Sequence, residues 1–276
     1  MEVKDAHGGT QEYDPDKIVR SAVRAGFERR TAEEIESQVR DRAWEGINTR
    51  KLHSIVYEEM QDRDESNAMR YRLRESIADL NPNYHEFEKY MTKVLDRDGL
   101  ETSWSPRPEP QGECSEHEID VVAEVAGETF VVECKHHYHH HRFTGLGVPM
   151  RQWARLQDLE KGYELGLADA MAVDKAWVIV NTKLSDHAKK YAECRGVRMT
   201  AWDYPEGESL RALVERNRAY PITMLRPPHH VKVELSKRNI LVVQELLELS
   251  DEEVEDLGIK EGALADLQRQ AASLVD

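Results

Sequence analysis

Residues 117–135, HEIDVVAEVAGETFVVECK, hold the densest set of groups able to do chemistry. Two apolar runs alternate with period two on either side of Ala126-Gly127, the pattern of a β-hairpin closed by a two-residue turn. That turn sets Val125 against Glu128, Asp120 opposite Glu133 and Glu118 opposite Lys135. Alternation sends these four charged groups to one face with Val122 and Val131, and leaves Ile119, Val121, Ala123, Val125, Phe130, Val132 and Cys134 for a core face. Acid opposite acid on a sheet is repulsive. A divalent cation, Mg2+ or Mn2+, between Asp120 and Glu133 removes the conflict, because hard cations bind through one or two carboxylates plus water and phosphate. A cation held this way can lower the pKa of a bound water and neutralise a phosphodiester. Lys135 adds a positive charge on the same face. The plain alternative is a solvent-facing strand whose charges merely alternate.

The flanking elements must position this hairpin. Residues 84–97 read as an amphipathic helix with Phe87, Tyr90, Met91, Val94 and Leu95 inward and Glu88 next to Phe87. A faint strand follows near 101–105, and a long helix spans 148–170 with Trp153, Leu156, Leu159 and Leu167 on one side. Ala176–Val180 is a buried strand, Ser185 caps a helix that Gly196 ends, and Val197–Trp202 returns as a strand. A helix crossover between two such strands implies a parallel pair. The run His136–His141, interrupted by Tyr138, offers imidazoles to a transition metal or to phosphate, or is simply a solvated loop leaving the hairpin.

Asp120 followed by Glu133-Cys134-Lys135 resembles the PD-(D/E)XK nuclease signature in the form seen in Mrr-type restriction endonucleases and archaeal Holliday junction resolvases. Ile119 stands where the signature has proline. The segments Ser115–Asp120, Asn181-Thr182-Lys183 and Trp202–Gly207 are similar to the same group, as is the pair Phe87-Glu88. The resemblance implies an α/β fold with an αβββαβ core and a metal-dependent deoxyribonuclease acting on duplex or branched DNA. It implies Asp120 and Glu133 as metal ligands, Lys135 orienting or activating the attacking water, and Glu88 and Glu118 as further acids at the site. Glu118 could instead pair with Lys135.

The first 80 or so residues read as a small hairpin and four helices. Asp14-Pro15 starts the first helix, Thr31 with Glu34 forms a capping box for the second, Thr49 begins the third, and the fourth runs from Ser66 to Leu80. Tyr13–Ile18, Ser21–Gly26 and Arg70–Leu73 make this part similar to an ATP-cone domain, which implies ATP or dATP as an effector, with Lys4 and Lys17 as candidate nucleotide contacts. Asp5 and Ala6 stand where typical cones carry a Lys-Arg pair. A cone kept for dimerisation or docking is the alternative. The expected division is a cone-like domain at 1–82, a nuclease domain at 83–226, and a helix-hairpin-helix or SAM-like unit at 232–276 around Leu257-Gly258-Ile259.

Composition sets outer bounds. No apolar run approaches a membrane span, and three cysteines without metal-type spacing argue against a disulfide framework, so a cytoplasmic protein is expected. The net charge of −15 argues against a general nucleic-acid binder and requires a local basic groove for any DNA contact. It also keeps open a non-catalytic reading, a nucleotide-sensing or scaffold protein that uses the nuclease fold for binding.

Overall fold

The computed structural model describes residues 1–4, 9–139 and 142–275. The chain divides into two compact units, one of residues 1–73 with 262–276, the other of residues 74–261.

In the first unit, β1 (Glu2–Lys4) lies between β2 (Thr10–Glu12), antiparallel to it, and β3 (Ile47–Asn48), parallel to it. Helix α1 (Pro15–Ala25) begins as the sequence dictates: Asp14 accepts the Lys17 N–H, proline opens the first turn, and Gly26 at φ 114° ends it. Helix α2 (Arg29–Arg42) starts two residues before the expected capping box, so Thr31 lies within the helix and no side chain caps it. Helix α3 (Thr49–Gln61) is capped by Asn48. The expected fourth helix is two, α4 (Glu65–Tyr71) in this unit and α5 (Leu73–Ala78), all but its first residue in the other, broken at Arg72, whose guanidinium sits over the Tyr57 ring. Ile18, Ile35, Val39, Ile55, Val56 and Met60 are among the side chains of the core these helices share with Val3 and Ile47.

The second unit is built on a five-stranded sheet in the order β10-β8-β6-β5-β4. Helix α6 (Glu86–Arg97) precedes the antiparallel strands β4 (Glu101–Trp104), β5 (Val121–Val125) and β6 (Glu128–Lys135). A short β7 (Phe143–Thr144) and α7 (Gly147–Glu164) lead to β8 (Lys175–Val180), parallel to β6. The chain continues through β9 (Lys183–Leu184), α8 (Asp186–Arg195) and β10 (Arg198–Thr200), parallel to β8. Helices α9 (Leu210–Arg216), α10 (His229–Lys237), α11 (Val243–Leu247) and α12 (Asp251–Asp256) complete the unit. The order helix, three strands, helix, strand is the expected one, and the mixed α/β architecture fits a restriction-endonuclease-like nuclease.

The hairpin forms on its expected turn. Ala126 and Gly127 both take positive φ, 54° and 82°, the requirement of a tight two-residue hairpin turn, and Val125 pairs with Glu128. Val131, Ala176, Val178 and Val180 pack against Leu156 and Leu159 of α7. Ile119 joins that cluster too, instead of siding with Val121, because the strand begins only at Val121 and alternation does not carry past it. Residues 232–261 cluster with the sheet unit, whereas the last helix, α13 (Glu261–Val275), joins the first: Ser66 Oγ donates to the Ser273 carbonyl, and Arg70 to that of Leu274. Among the described residues no helix is long and apolar enough to cross a membrane.

Candidate active site

The C-terminal ends of β6 and β8 and the start of β5 meet at one end of the sheet, where ligands of open α/β sheets bind. The ladder runs from Val125↔Glu128 to Val121↔Val132, so Asp120 enters the hairpin level with Glu133. Its Oδ2 accepts the Cys134 N–H at 2.7 Å, and its carbonyl accepts the Ser105 N–H at 2.9 Å. Helix α6 brings Glu88 to the same place, and a cavity there is walled by His85, Glu88, Glu118 and Asp120 among others. Glu118 and Glu133 act electrostatically on Glu88, and Glu133 and Glu88 on Asp120. Lys135 follows Glu133 by two residues on β6 and therefore projects from the same face.

Burial, then the neighbouring Glu133 charge, pushes the Asp120 carboxyl up to about 7, against the help its charged form gets from the Cys134 N–H. Burial also raises Glu88, which Glu118 and Glu133 reinforce and the His85 ring, 2.6 Å from its Oε2, opposes. These carboxyls are held together at a cost, the state in which functional acids are found.

Two arrangements differ from expectation. Glu118 does not pair with Lys135, because the ladder ends at Val121 and the chain before it turns toward Glu88. The first two histidines of the run take separate partners: His136 bonds the Ile77 carbonyl and lies 5.2 Å from the Phe87 ring, whereas His137 exchanges two 2.8 Å bonds with Asn181. Both imidazoles are shifted down by burial, and His140 and His141 lie outside the described residues.

Helix α7 supplies residues that sequence patterns did not single out. Arg155 donates to Glu133 Oε2 at 2.6 Å and to Gln152 Oε1 at 2.9 Å, and the buried Gln152 donates to the Val131 carbonyl at 2.8 Å. One signal was present: between Glu133 and Asp158 the chain has no acid and carries Lys135, Arg142, Arg151 and Arg155. Asp158 itself clasps the loop that leads into the site, accepting the Cys114 N–H and bonding His117 at 2.7 Å. Glu113, Cys114 and Asp158 place ligand-type atoms within 4.8 Å of one another, making them the group among the described residues most compactly able to take an ion. Lys4 and Lys17 belong to the other unit, exposed on β1 and α1, and Asp5 and Ala6 fall outside the described residues.

Residues 80–210 match the family model for a restriction endonuclease. A protein of Archaeoglobus fulgidus, itself uncharacterized, is 37% identical over 169 residues, which is 61% of this chain and 90% of the relative. The chain belongs to the family of that archaeal protein. A crystal structure of a protein of unknown function, AF1548, is similar over 69% of this chain and 98% of its own, with 33% identity and a TM-score of 0.58. The residues that match the restriction endonuclease model, 80–210, contain the whole of the site around Asp120.

Proposed function

We propose that the protein is a divalent-metal-dependent DNA endonuclease. The single observation that carries this reading is the gathering of Asp120, Glu133, Glu88 and Glu118 at one sheet end, with two of these carboxyls pushed upward. Such a set fits a hard cation, because burial and mutual repulsion are what a Mg2+ or Mn2+ ion relieves. Asp120 and Glu133 would hold it, with Glu88 and Glu118 as further acids. A bound cation supplies Lewis-acid stabilisation of phosphodiester charge and a more acidic water. Lys135 Nζ contributes a proton donor that orients the attacking water and offsets charge on the scissile phosphate. Arg142 and Arg151, exposed and without an ion pair among the described residues, offer guanidinium groups to neighbouring phosphates. They supply a local basic path in an acidic chain.

Cleavage of supercoiled, linear and branched DNA with Mg2+ or Mn2+ tests this, with wild type beside Lys135→Ala. Metal-dependent cutting lost in the variant supports it; no cutting of any form by wild type overturns it. The rival reading, a binding protein that does not cut, draws on the Glu133–Arg155 ion pair, which engages a ligand carboxylate within the protein itself. Modulation by ATP or dATP through Lys4 and Lys17, and assembly as a dimer, rest on the resemblance of the first unit. Calorimetric titration of ATP decides the first, and no heat at millimolar nucleotide would end it.

A further inference from the structure

The cavity at the acidic end has a wall that phosphodiester chemistry does not use. Trp104, the last residue of β4, is 42% exposed, and it lines this cavity with His85, Ser105, Arg107, Glu88, Glu118 and Asp120. The indole stands open beside a charged site.

Its position is fixed rather than incidental. Trp104 pairs with Val121, and the next residue, Ser105, takes φ 43° while donating its N–H to the Asp120 carbonyl at 2.9 Å. A non-glycine residue in that region is uncommon and persists where surroundings enforce it. The indole is thereby tied, through one peptide, to the backbone of the residue whose carboxylate is expected to hold the cation. Lys89 covers one side of the ring, its Nζ 4.7 Å from the centroid, and Lys89 is not part of the cavity wall. The His85 ring approaches at 6.5 Å, tilted by 59°.

We infer that Trp104 is a stacking platform for an unpaired nucleobase next to the scissile phosphate, with His85 and Arg107 at its sides, and this rests on the nuclease reading of the same site. The chemistry selects the ligand. A flat, electron-rich indole backed by a cation takes a planar heterocycle, and stacking is open only to a base that has left the duplex, whose paired bases show edges and not faces. The base enters this cavity against the ring while the backbone passes on the side of Lys135, Arg142 and Arg151. The substrate is accordingly DNA that is single-stranded or branched at the cut, and uninterrupted duplex is the poorer one.

The test measures binding separately from cutting. The full chain, wild type, Trp104→Ala and Trp104→Phe, is titrated in Ca2+ against labelled single strand, branched DNA and duplex of one sequence, with a free mononucleotide as competitor. Wild type should prefer the first two. Trp104→Ala should weaken them by ~10–100-fold, the range for one stacked base, leave duplex binding unchanged, and be partly restored in Trp104→Phe. Equal weakening on every form would show a merely structural role, duplex preference by wild type would reverse the substrate assignment, and a mononucleotide that binds as tightly as the strand would replace a strand with a free nucleotide. Each of these three overturns the inference, yet metal-dependent duplex cutting that depends on Lys135 would leave the nuclease standing. Strand-selective binding lost in Trp104→Ala, with no cutting under any metal, would keep the base site and remove the nuclease.

Discussion

The two ends of helix α6 treat a carboxylate in opposite ways. At its C-terminal cap, Asp98 is matched: Arg216 donates to both its oxygens at 2.8 and 2.7 Å, and Asn217 adds a third bond at 2.8 Å. Burial alone would raise its pKa, but these donors hold it below the ordinary range. At the other end, Glu88 is raised by burial and then by Glu118 and Glu133, with His85 opposing. The same residue chemistry on one helix is satisfied where it fastens the fold and left in conflict where the sheet opens. Acids left in conflict in this way mark a candidate site for a ligand.

Substitutions that swap these behaviours should separate activity from stability. Lys135→Ala should cost about 10²–10⁴-fold in cleavage, the range for a proton donor at a reacting group, and shift thermal stability by no more than ±0.5 kcal/mol. Asp120→Asn should abolish cleavage while stabilising the metal-free protein above neutral pH, because it removes a charge that burial and Glu133 disfavour. Asp98→Ala should do the reverse, losing roughly 2 kcal/mol, since charged hydrogen bonds contribute about that much, with cleavage per folded molecule kept. Denaturant melts beside a cleavage assay check all three; a destabilised Asp120→Asn would erase the distinction between the two ends.

The pH response follows from the same conflict. The Asp120 carboxyl lies at about 7 in the folded chain against an ordinary 3.8, so the native state binds its proton more tightly. Its contribution to stability is fully present below about pH 4 and is lost as pH rises through about 7, up to roughly 4 kcal/mol. Mg2+ should therefore raise the melting temperature more at pH 8 than at pH 5.5, and an equal rise at both would contradict this origin. A smaller effect is expected at the basic side: Arg151→Ala should weaken DNA binding uniformly across sequences and lower the salt slope by about one.

The hairpin was legible in the sequence because its signal is local: period-two alternation and one turn that tolerates positive φ determine the register of Asp120 and Glu133. What the sequence hid depends on contacts distant along the chain. Arg155 reaches Glu133 only through the rotational setting of α7, which Gln152 fixes against the Val131 carbonyl. Glu118 leaves Lys135 because pairing ends at Val121, and a strand's end is decided by what its neighbours offer. Trp104 sits on a strand of four residues too short for its pattern to mark it. The unused pair Thr31 and Glu34 shows the converse, a good local signal overridden when the helix begins earlier at Arg29.

The most direct measurement is calorimetric titration of Mn2+ at pH 8 into wild type, Asp120→Asn and Asp158→Asn. Binding that disappears in Asp120→Asn and survives in Asp158→Asn is expected from the conflict at the sheet end. Binding that survives in Asp120→Asn and disappears in Asp158→Asn would move the ion to Glu113, Cys114 and Asp158 and contradict the assignment of Asp120 and Glu133 as the metal site.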